Sequence, residues 1–149
     1  MINMNDKMKK ILIEKEGEKH CSKINTIVNE IVNKTKIMKE CIIFDIDASL
    51  QEDKINFSKI LNIAGDWTGY EVSCNEIRIS KGVINASEIL TLADKLSNLL
   101  YKKYNRNIVV YISLFDDEIE LRFHTFREDE RLWLDKNLDK YDIPILCLM

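Results

Sequence analysis

The feature that most constrains this chain is a long capped helix followed at once by two alternating strands. The helix is read from about Ala86 to Tyr104, with Asn85 as its cap and Glu88, three residues on, as the capping-box partner. Ile89, Ala93, Leu96 and Leu100 form its apolar stripe, widened by Leu92 and Leu99. Lys102 and Lys103 fall in the last turn, where the helix dipole favours positive charge. Ile108 to Ile112 then reads as a strand. After a turn around Asp116-Asp117, Ile119, Leu121 and Phe123 alternate with Glu120, Arg122 and His124. A hairpin with one apolar face behind an amphipathic helix must bury that face against the helix. The expected fold is therefore a single α+β domain, with an antiparallel-rich sheet and this long helix packed on it.

The flanking segments fill in around that unit. Residues 1–20 are polar and weakly patterned, and are expected to form a loosely attached arm with a short strand at Lys10 to Ile13; the domain proper is taken as 21–149. From Ser22 the pattern turns helical: Ile24, Ile27, Val28, Ile31, Val32, Thr35 and Met38 recur at helical steps and predict an N-terminal amphipathic helix. Cys41 to Ile46 reads as a buried strand, and Ile55 to Ala64 as a short helix closed by Gly65. Tyr70, Val72 and Cys74 alternate as a strand would, and the phase shifts at Asn75-Glu76 before Ile77 and Ile79. Leu132-Trp133-Leu134 is expected in a helical turn. Pro144 is expected to limit Ile143 to Met149 to an edge strand or an extended packing segment.

Composition excludes more than it selects. A chain of 149 residues with 46% apolar content buries roughly 68–70% of its unfolded surface, so neither a disulfide nor a structural metal is required. Cys21, Cys41, Cys74 and Cys147 form no CxxC pair and have no His at ligand spacing, so reduced, mostly buried thiols are expected. No cofactor motif is present. The N-terminal residues lack the apolar core of a secretion signal, and no apolar run approaches the roughly 20 residues a membrane span needs. A cytoplasmic protein is expected.

Net charge is −3, but the sum hides a gradient. Residues 1–40 carry nine Lys against six acids, 41–114 eight basic against nine acidic residues, and 115–149 five against ten, that is +3, −1 and −5. Nucleic acid is a poor partner for such a distribution, because phosphate binding needs a clustered basic face. The negative C-terminal third, with aromatics embedded in it, is instead the pattern of a surface that steers and anchors a basic protein. The candidate partner-binding residues are Asp116, Asp117, Glu118, Glu120, Glu128, Asp129, Glu130, Trp133 and Tyr141.

Two further constellations bear on catalysis. Ile42-Ile43-Phe44-Asp45-Ile46-Asp47-Ala48-Ser49-Leu50 resembles the first motif of the haloacid dehalogenase-like phosphatases, an apolar strand ending in two aspartates one residue apart. The resemblance implies Asp45 as nucleophile and Asp47 as general acid/base, with Mg²⁺ between carboxylate and phosphate. The match departs from the family at Ala48 and Ser49, where Gly and Thr are usual, and Asp116-Asp117 falls in a hairpin turn rather than at the end of a parallel strand. His124, near Arg122, Arg127, Asp129 and Glu130, has the chemistry for acid–base work but no Ser or Cys nucleophile placed beside it; on the polar face of a strand, a surface or paired histidine is the expectation.

Leu121-Arg122-Phe123-His124-Thr125, Leu132-Trp133-Leu134 and Leu138-Asp139-Lys140-Tyr141, with the Gly65-Asp66-Trp67 lead-in and the long helix, resemble small immunity-type proteins of low-GC bacteria encoded beside polymorphic toxins. The resemblance covers about residues 66–149. It implies a non-enzymatic protein-binding module that neutralises a cognate toxin by occluding its basic active site, with no membrane and no nucleic acid among its partners. A Mg²⁺-dependent phosphatase using Asp45 and Asp47, and a structural or regulatory interaction protein without a toxin partner, are the alternatives.

Overall fold

The computed structural model describes residues 1–15 and 23–149. The end of the expected arm, residues 16–20, lies outside the described residues, as do Cys21 and the helix start expected at Ser22. The long helix forms as its capping box dictates: a 3-10 turn at Ala86–Glu88 leads into α5 (Ile89–Tyr104), and the Asn85 N–H donates to Glu88 Oε1 at 3.2 Å. Asn105 closes it in the left-handed region, φ 54°, where a short polar side chain is tolerated. The hairpin follows as strands β5 (Ile108–Leu114) and β6 (Glu118–Thr125).

Around this hairpin the sheet is completed by β1 (Ile2–Met4), β4 (Glu76–Ser80) and β7 (Ile145–Leu148), in the order β1-β7-β5-β6-β4 with every neighbour antiparallel. A second, two-stranded sheet consists of β2 (Thr35–Met38) and β3 (Cys41–Phe44). Helices α1 (Asp6–Glu14), α2 (Ile24–Asn33), α3 (Phe57–Ala64) and α4 (Trp67–Cys74) complete the molecule. The fold is thus α+β.

One face of the large sheet carries the main core. Val110, Ile112, Leu121 and Phe123 of the strands meet Leu92, Leu96 and Leu100 of α5, Val28 and Ile31 of α2, and Met8 of α1. A fully buried leucine such as Leu96 contributes roughly 1.5–3 kcal/mol by leaving water. The other face is covered only in part. The C-terminal segment 126–144 folds over it as a lid, and Trp133, Leu134, Leu138 and Tyr141 pack on Val109, Tyr111, Ile145 and Cys147. A third cluster joins Met38, Cys41 and Ile43 of the small sheet to Tyr70, Phe57 and Trp67.

Four expectations are corrected, each for a local reason. Over its described residues, 1–15, the N-terminal arm is not loose: β1 is the outermost strand of the large sheet, and α1 follows it with no strand at Lys10 to Ile13. Buried Asn5 pins it, accepting from Met8 N and Ile145 N, both at 3.0 Å, while Nδ2 donates to Ile143 O at 2.7 Å. Because β1 takes the edge, β7 is an interior strand. Pro144 precedes its first residue, needs no ladder N–H there, and only offers its carbonyl to Leu114 N at 3.0 Å. Helix α2 stops at Asn33, since the Thr35 hydroxyl and Lys103 Nζ donate to Val32 O at 2.6 and 2.9 Å, and Thr35 and Met38 belong to β2. Residues Tyr70, Val72 and Cys74 lie on helix α4 rather than on a strand.

Smaller points agree or shift. Gly65 closes α3 at φ 91°, the left-handed backbone that glycine adopts without strain. The helical turn expected at Leu132-Trp133-Leu134 is irregular, and the lid's 3-10 turn lies at Leu138–Lys140. Cys41, Cys74 and Cys147 are free thiols, the first and last buried. Among the described residues no helix is long and apolar enough to cross a membrane.

Candidate functional site

Helix α4 joins the two sheets, and does so with side chains. Glu71 and Asn75, one turn apart, are both fully buried. Asn75 Nδ2 donates to Ile42 O at 2.8 Å and to Phe123 O at 3.1 Å, and its Oδ1 accepts from Phe44 N at 2.8 Å. Glu71 accepts from Ile42 N at 2.9 Å, from Thr125 N, from Thr125 Oγ1 at 3.2 Å, and from Arg127 Nη2 at 3.1 Å. Ile42 and Phe44 belong to β3, Phe123 and Thr125 to β6. The two side chains therefore occupy the place of a missing strand between the sheets, satisfying backbone groups that would otherwise be buried without partners. Burial works against the Arg127 charge, but the facing Glu71 carboxylate more than offsets it and holds the guanidinium above its ordinary range. Arg127 Nη2 and Arg106 Nη1 also donate to Glu40 O, at 2.7 and 3.0 Å, clamping the β2–β3 turn.

Glu130 is drawn into the same junction. It accepts from Trp67 N at 3.0 Å, from Thr68 N at 2.8 Å and from Thr68 Oγ1 at 2.7 Å, and lies 3.7 Å from Arg127 Nε. With the Asp66 side chain accepting from Gly69 N, it satisfies the orphan first-turn amides of α4. Burial pulls its carboxyl upward, but those donors hold it below the ordinary glutamate range. Glu130 is a helix cap first.

The predicted acidic surface is divided rather than continuous. Asp116 and Asp117 are exposed on the β5–β6 turn, while Glu128 and Asp129 are exposed beyond the opposite end of β6, roughly 25 Å away along an eight-residue strand. Glu118 and Glu120 lie on the sheet face away from the helices and are engaged by Arg78 and Arg122: Arg78 pairs with Glu118 and, at 3.2 Å, with Glu120, and Arg122 Nε meets Glu120 at 2.8 Å. The expected single negative field is thus corrected. Glu118 and Glu120 are neutralised by Arg78 from the neighbouring strand, which a count along residues 115–149 does not register, and by Arg122 two residues from Glu120.

What the structure does bring together is a groove of about 770 Å³ along the lid. Glu128, Glu130, Trp133 and Tyr141 all line it, with Phe126, Leu132 and Leu134 between them. Asp129 is not among its lining residues, nor are Asp116, Asp117, Glu118 and Glu120. The groove carries Arg127, Arg131, Lys136 and Lys140 against Glu128, Glu130 and Asp135, so its charge is mixed. Half-buried Trp133 is held firmly: its ring meets Tyr111 edge-on at 5.3 Å between centroids, and the Arg122 guanidinium lies 5.0 Å over it. The Tyr141 hydroxyl accepts from Asp135 N at 3.0 Å. On its inner side the lid walls a second, more enclosed apolar cleft of about 250 Å³, lined by Tyr111, Leu132, Leu138 and Cys147.

The two candidate catalytic groups have structural duties. Asp45 is buried and accepts from Ser49 N at 3.1 Å, Leu50 N at 2.9 Å and Lys36 Nζ at 2.7 Å. Chiefly because of the Lys36 bond, its carboxyl lies below the usual aspartate range. Among the described residues the strand that precedes it, β3, pairs with β2 alone and antiparallel, so the parallel-strand geometry of a haloacid dehalogenase centre is not formed there, and Asp47 is exposed. Among the described residues no group of three His, Cys, Asp or Glu side chains is placed to hold a metal ion. His124 is 1% exposed and engaged at both nitrogens: Nδ1 lies 2.7 Å from Thr125 O, to which it donates, and Nε2 lies 3.3 Å from the Tyr111 hydroxyl, from which it accepts. Burial lowers its pKa, so the ring is neutral.

Sequence reasoning passed over Glu71, Asn75 and Arg127 as a bridge. The available signal was Asp66 ahead of Trp67-Thr68-Gly69, a helix N-cap that would have set Glu71 and Asn75 on one face.

Fold and site together define a class: a small α+β domain with helices on one sheet face, a grooved lid on the other, and a two-stranded sheet tied on through buried helix side chains. The chain belongs to the Uncharacterized protein PM0498 family, whose family model matches residues 3–148. No curated protein and no solved structure shows significant similarity to it.

Proposed function

We propose that this chain is a non-enzymatic protein-binding module of the cytoplasm that uses the lid groove, and most specifically an immunity protein that neutralises a cognate bacterial toxin by covering its active site. The observation that carries the reading is the groove itself: aromatic side chains already fixed by packing, framed by charges of both signs, on a segment rather than on a catalytic cleft. A preordered Trp and Tyr lose little entropy on binding and are the usual anchors of such surfaces. Glu128 at the groove and Asp129 beside it supply attraction toward a basic toxin surface, and Asp116 and Asp117 add a second, remote negative point that quickens encounter.

The test is growth rescue. A toxin encoded beside the gene is expressed in a susceptible strain with or without this protein, and binding of the purified pair is measured by calorimetry. Wild type restores growth. Trp133→Ala weakens binding by about 2–4 kcal/mol, roughly 30- to 1000-fold. Glu128→Arg, at an exposed rim residue, serves as a folded control of the same groove and also weakens binding, because it turns an attraction for the basic toxin surface into a repulsion. Absence of rescue, or rescue and affinity indifferent to both changes, refutes the reading.

A further inference from the structure

Strand β4 forms one edge of the large sheet, and its pairing fixes which of its backbone groups face outward. Lys81 N donates to Asp117 O at 3.0 Å. Because antiparallel ladder bonds alternate, Ile79 and Ile77 also turn their backbone groups to β6, while Glu76 and Arg78 turn theirs away from it. Among the described residues β4 pairs with no strand other than β6.

The side chains on this edge carry a pattern. On the face away from the helices, Glu76 stands opposite Arg122 and Arg78 opposite Glu120. The pairs are closed, at 3.1 Å between Arg122 Nη2 and Glu76 Oε2 and 3.2 Å between Arg78 Nη2 and Glu120 Oε2. Charge therefore alternates from β6 to β4 in two adjacent rows. Ile77 lies on the core face at 9% exposure, where the sheet ends.

We propose that β4 pairs antiparallel with β4 of a second copy of this chain, about a twofold axis at Ile77. In this register Glu76 of each copy faces Arg78 of the other, and their outward backbone groups form about four hydrogen bonds. Each row then reads Arg122, Glu76, Arg78 of the second copy, Glu120 of the second copy, so the alternation continues unbroken across the axis. On the opposite face Ile77 meets Ile77 and extends the core. Neighbouring registers lack this match: an axis at Arg78 sets Arg78 against itself, one at Ile79 sets it against Ser80, and odd shifts place outward groups opposite inward ones. The contact is isologous and closes as a dimer.

The test uses the full chain in sedimentation equilibrium, with circular dichroism to confirm folding. Wild type reaches twice the 17.5 kDa chain mass. Arg78→Glu sets carboxylates against carboxylates, Glu76→Arg sets guanidinium against guanidinium, and each weakens self-association roughly tenfold or more. Mixed one to one, the two variants face each other with opposite charges and recover the dimer mass. Arg78→Pro removes an N–H that β6 does not use, and abolishes the dimer while leaving the helix and strand signals in place. A wild type of monomer mass at every concentration, a dimer that survives Arg78→Pro, or folded charge variants that stay monomeric on mixing would each overturn the proposal.

Discussion

Glu71→Ala is the sharpest probe of the junction between the sheets. The carboxylate accepts from Ile42 N, Thr125 N, Thr125 Oγ1 and Arg127 Nη2, and it is fully buried. Three donors left without this acceptor at about 1 kcal/mol each give about 3 kcal/mol, while Arg127 Nη2 keeps the Glu40 carbonyl. Removing one partner of a buried ion pair gives the same scale, about 3–5 kcal/mol. For a domain of this size that lowers Tm by roughly 6–20 °C. Urea unfolding at neutral pH, followed by tryptophan fluorescence and by circular dichroism, measures it. Glu71→Gln keeps the shape and one acceptor oxygen but turns an amide donor toward donors, and falls between wild type and Glu71→Ala. In a double-mutant cycle Arg127→Ala costs about 1–3 kcal/mol less on the Glu71→Ala background than on wild type, because the guanidinium has already lost the nearer and more deeply buried of its two carboxylates. A loss below about 1 kcal/mol for Glu71→Ala, or strict additivity with Arg127→Ala, would refute the bridge.

Other outcomes follow from the same geometry. His124 has a folded pKa below its ordinary 6.5, so the unfolded chain binds its proton first as pH falls; stability is present above about 6.5 and declines through the window beneath it, and His124→Gln flattens the stability profile between pH 7 and 5 in urea titrations. Asp45→Asn removes a charged acceptor of two amides and Lys36 and costs about 1–3 kcal/mol at pH 7; since the wild-type carboxyl is depressed below 3.8, the gap to wild type closes only as pH falls through that acid range. Gly69→Ala would set a Cβ 2.7 Å from the Ala64 carbonyl oxygen, so thermal melts show a loss of about 1–3 kcal/mol despite alanine's better helix propensity.

The elements legible in the sequence are those whose local signals agree. The Asn85/Glu88 box, the α5 stripe and the Ile119, Leu121, Phe123 alternation each state one answer, and the structure adopts it. Helix α4 was illegible because its buried face holds Thr68, Glu71 and Asn75; polar residues on the inner side erase the apolar period and leave Tyr70, Val72 and Cys74 as a false alternation. Strand β1 was hidden for a related reason: three residues with no buried member carry no pattern, and their place is set by Asn5 and by β7, more than a hundred residues away. Of the candidate partner-binding residues, Glu128, Glu130, Trp133 and Tyr141 share a groove. The expected negative surface is divided because Arg78 reaches Glu118 and Glu120 from the neighbouring strand, a pairing that distance along the chain hides.

The side-chain bridge on α4 also has a kinetic signature. In an ordinary sheet a backbone amide exchanges its hydrogen when its own strand frays, but the Ile42, Phe44 and Thr125 amides are protected by Glu71 and Asn75. Unwinding one short helix exposes amides on both sheets at once, so these three report a single opening event and show one common protection free energy. Neither the β2–β3 hairpin nor the end of β6 can loosen privately; α4 sets the clock for both.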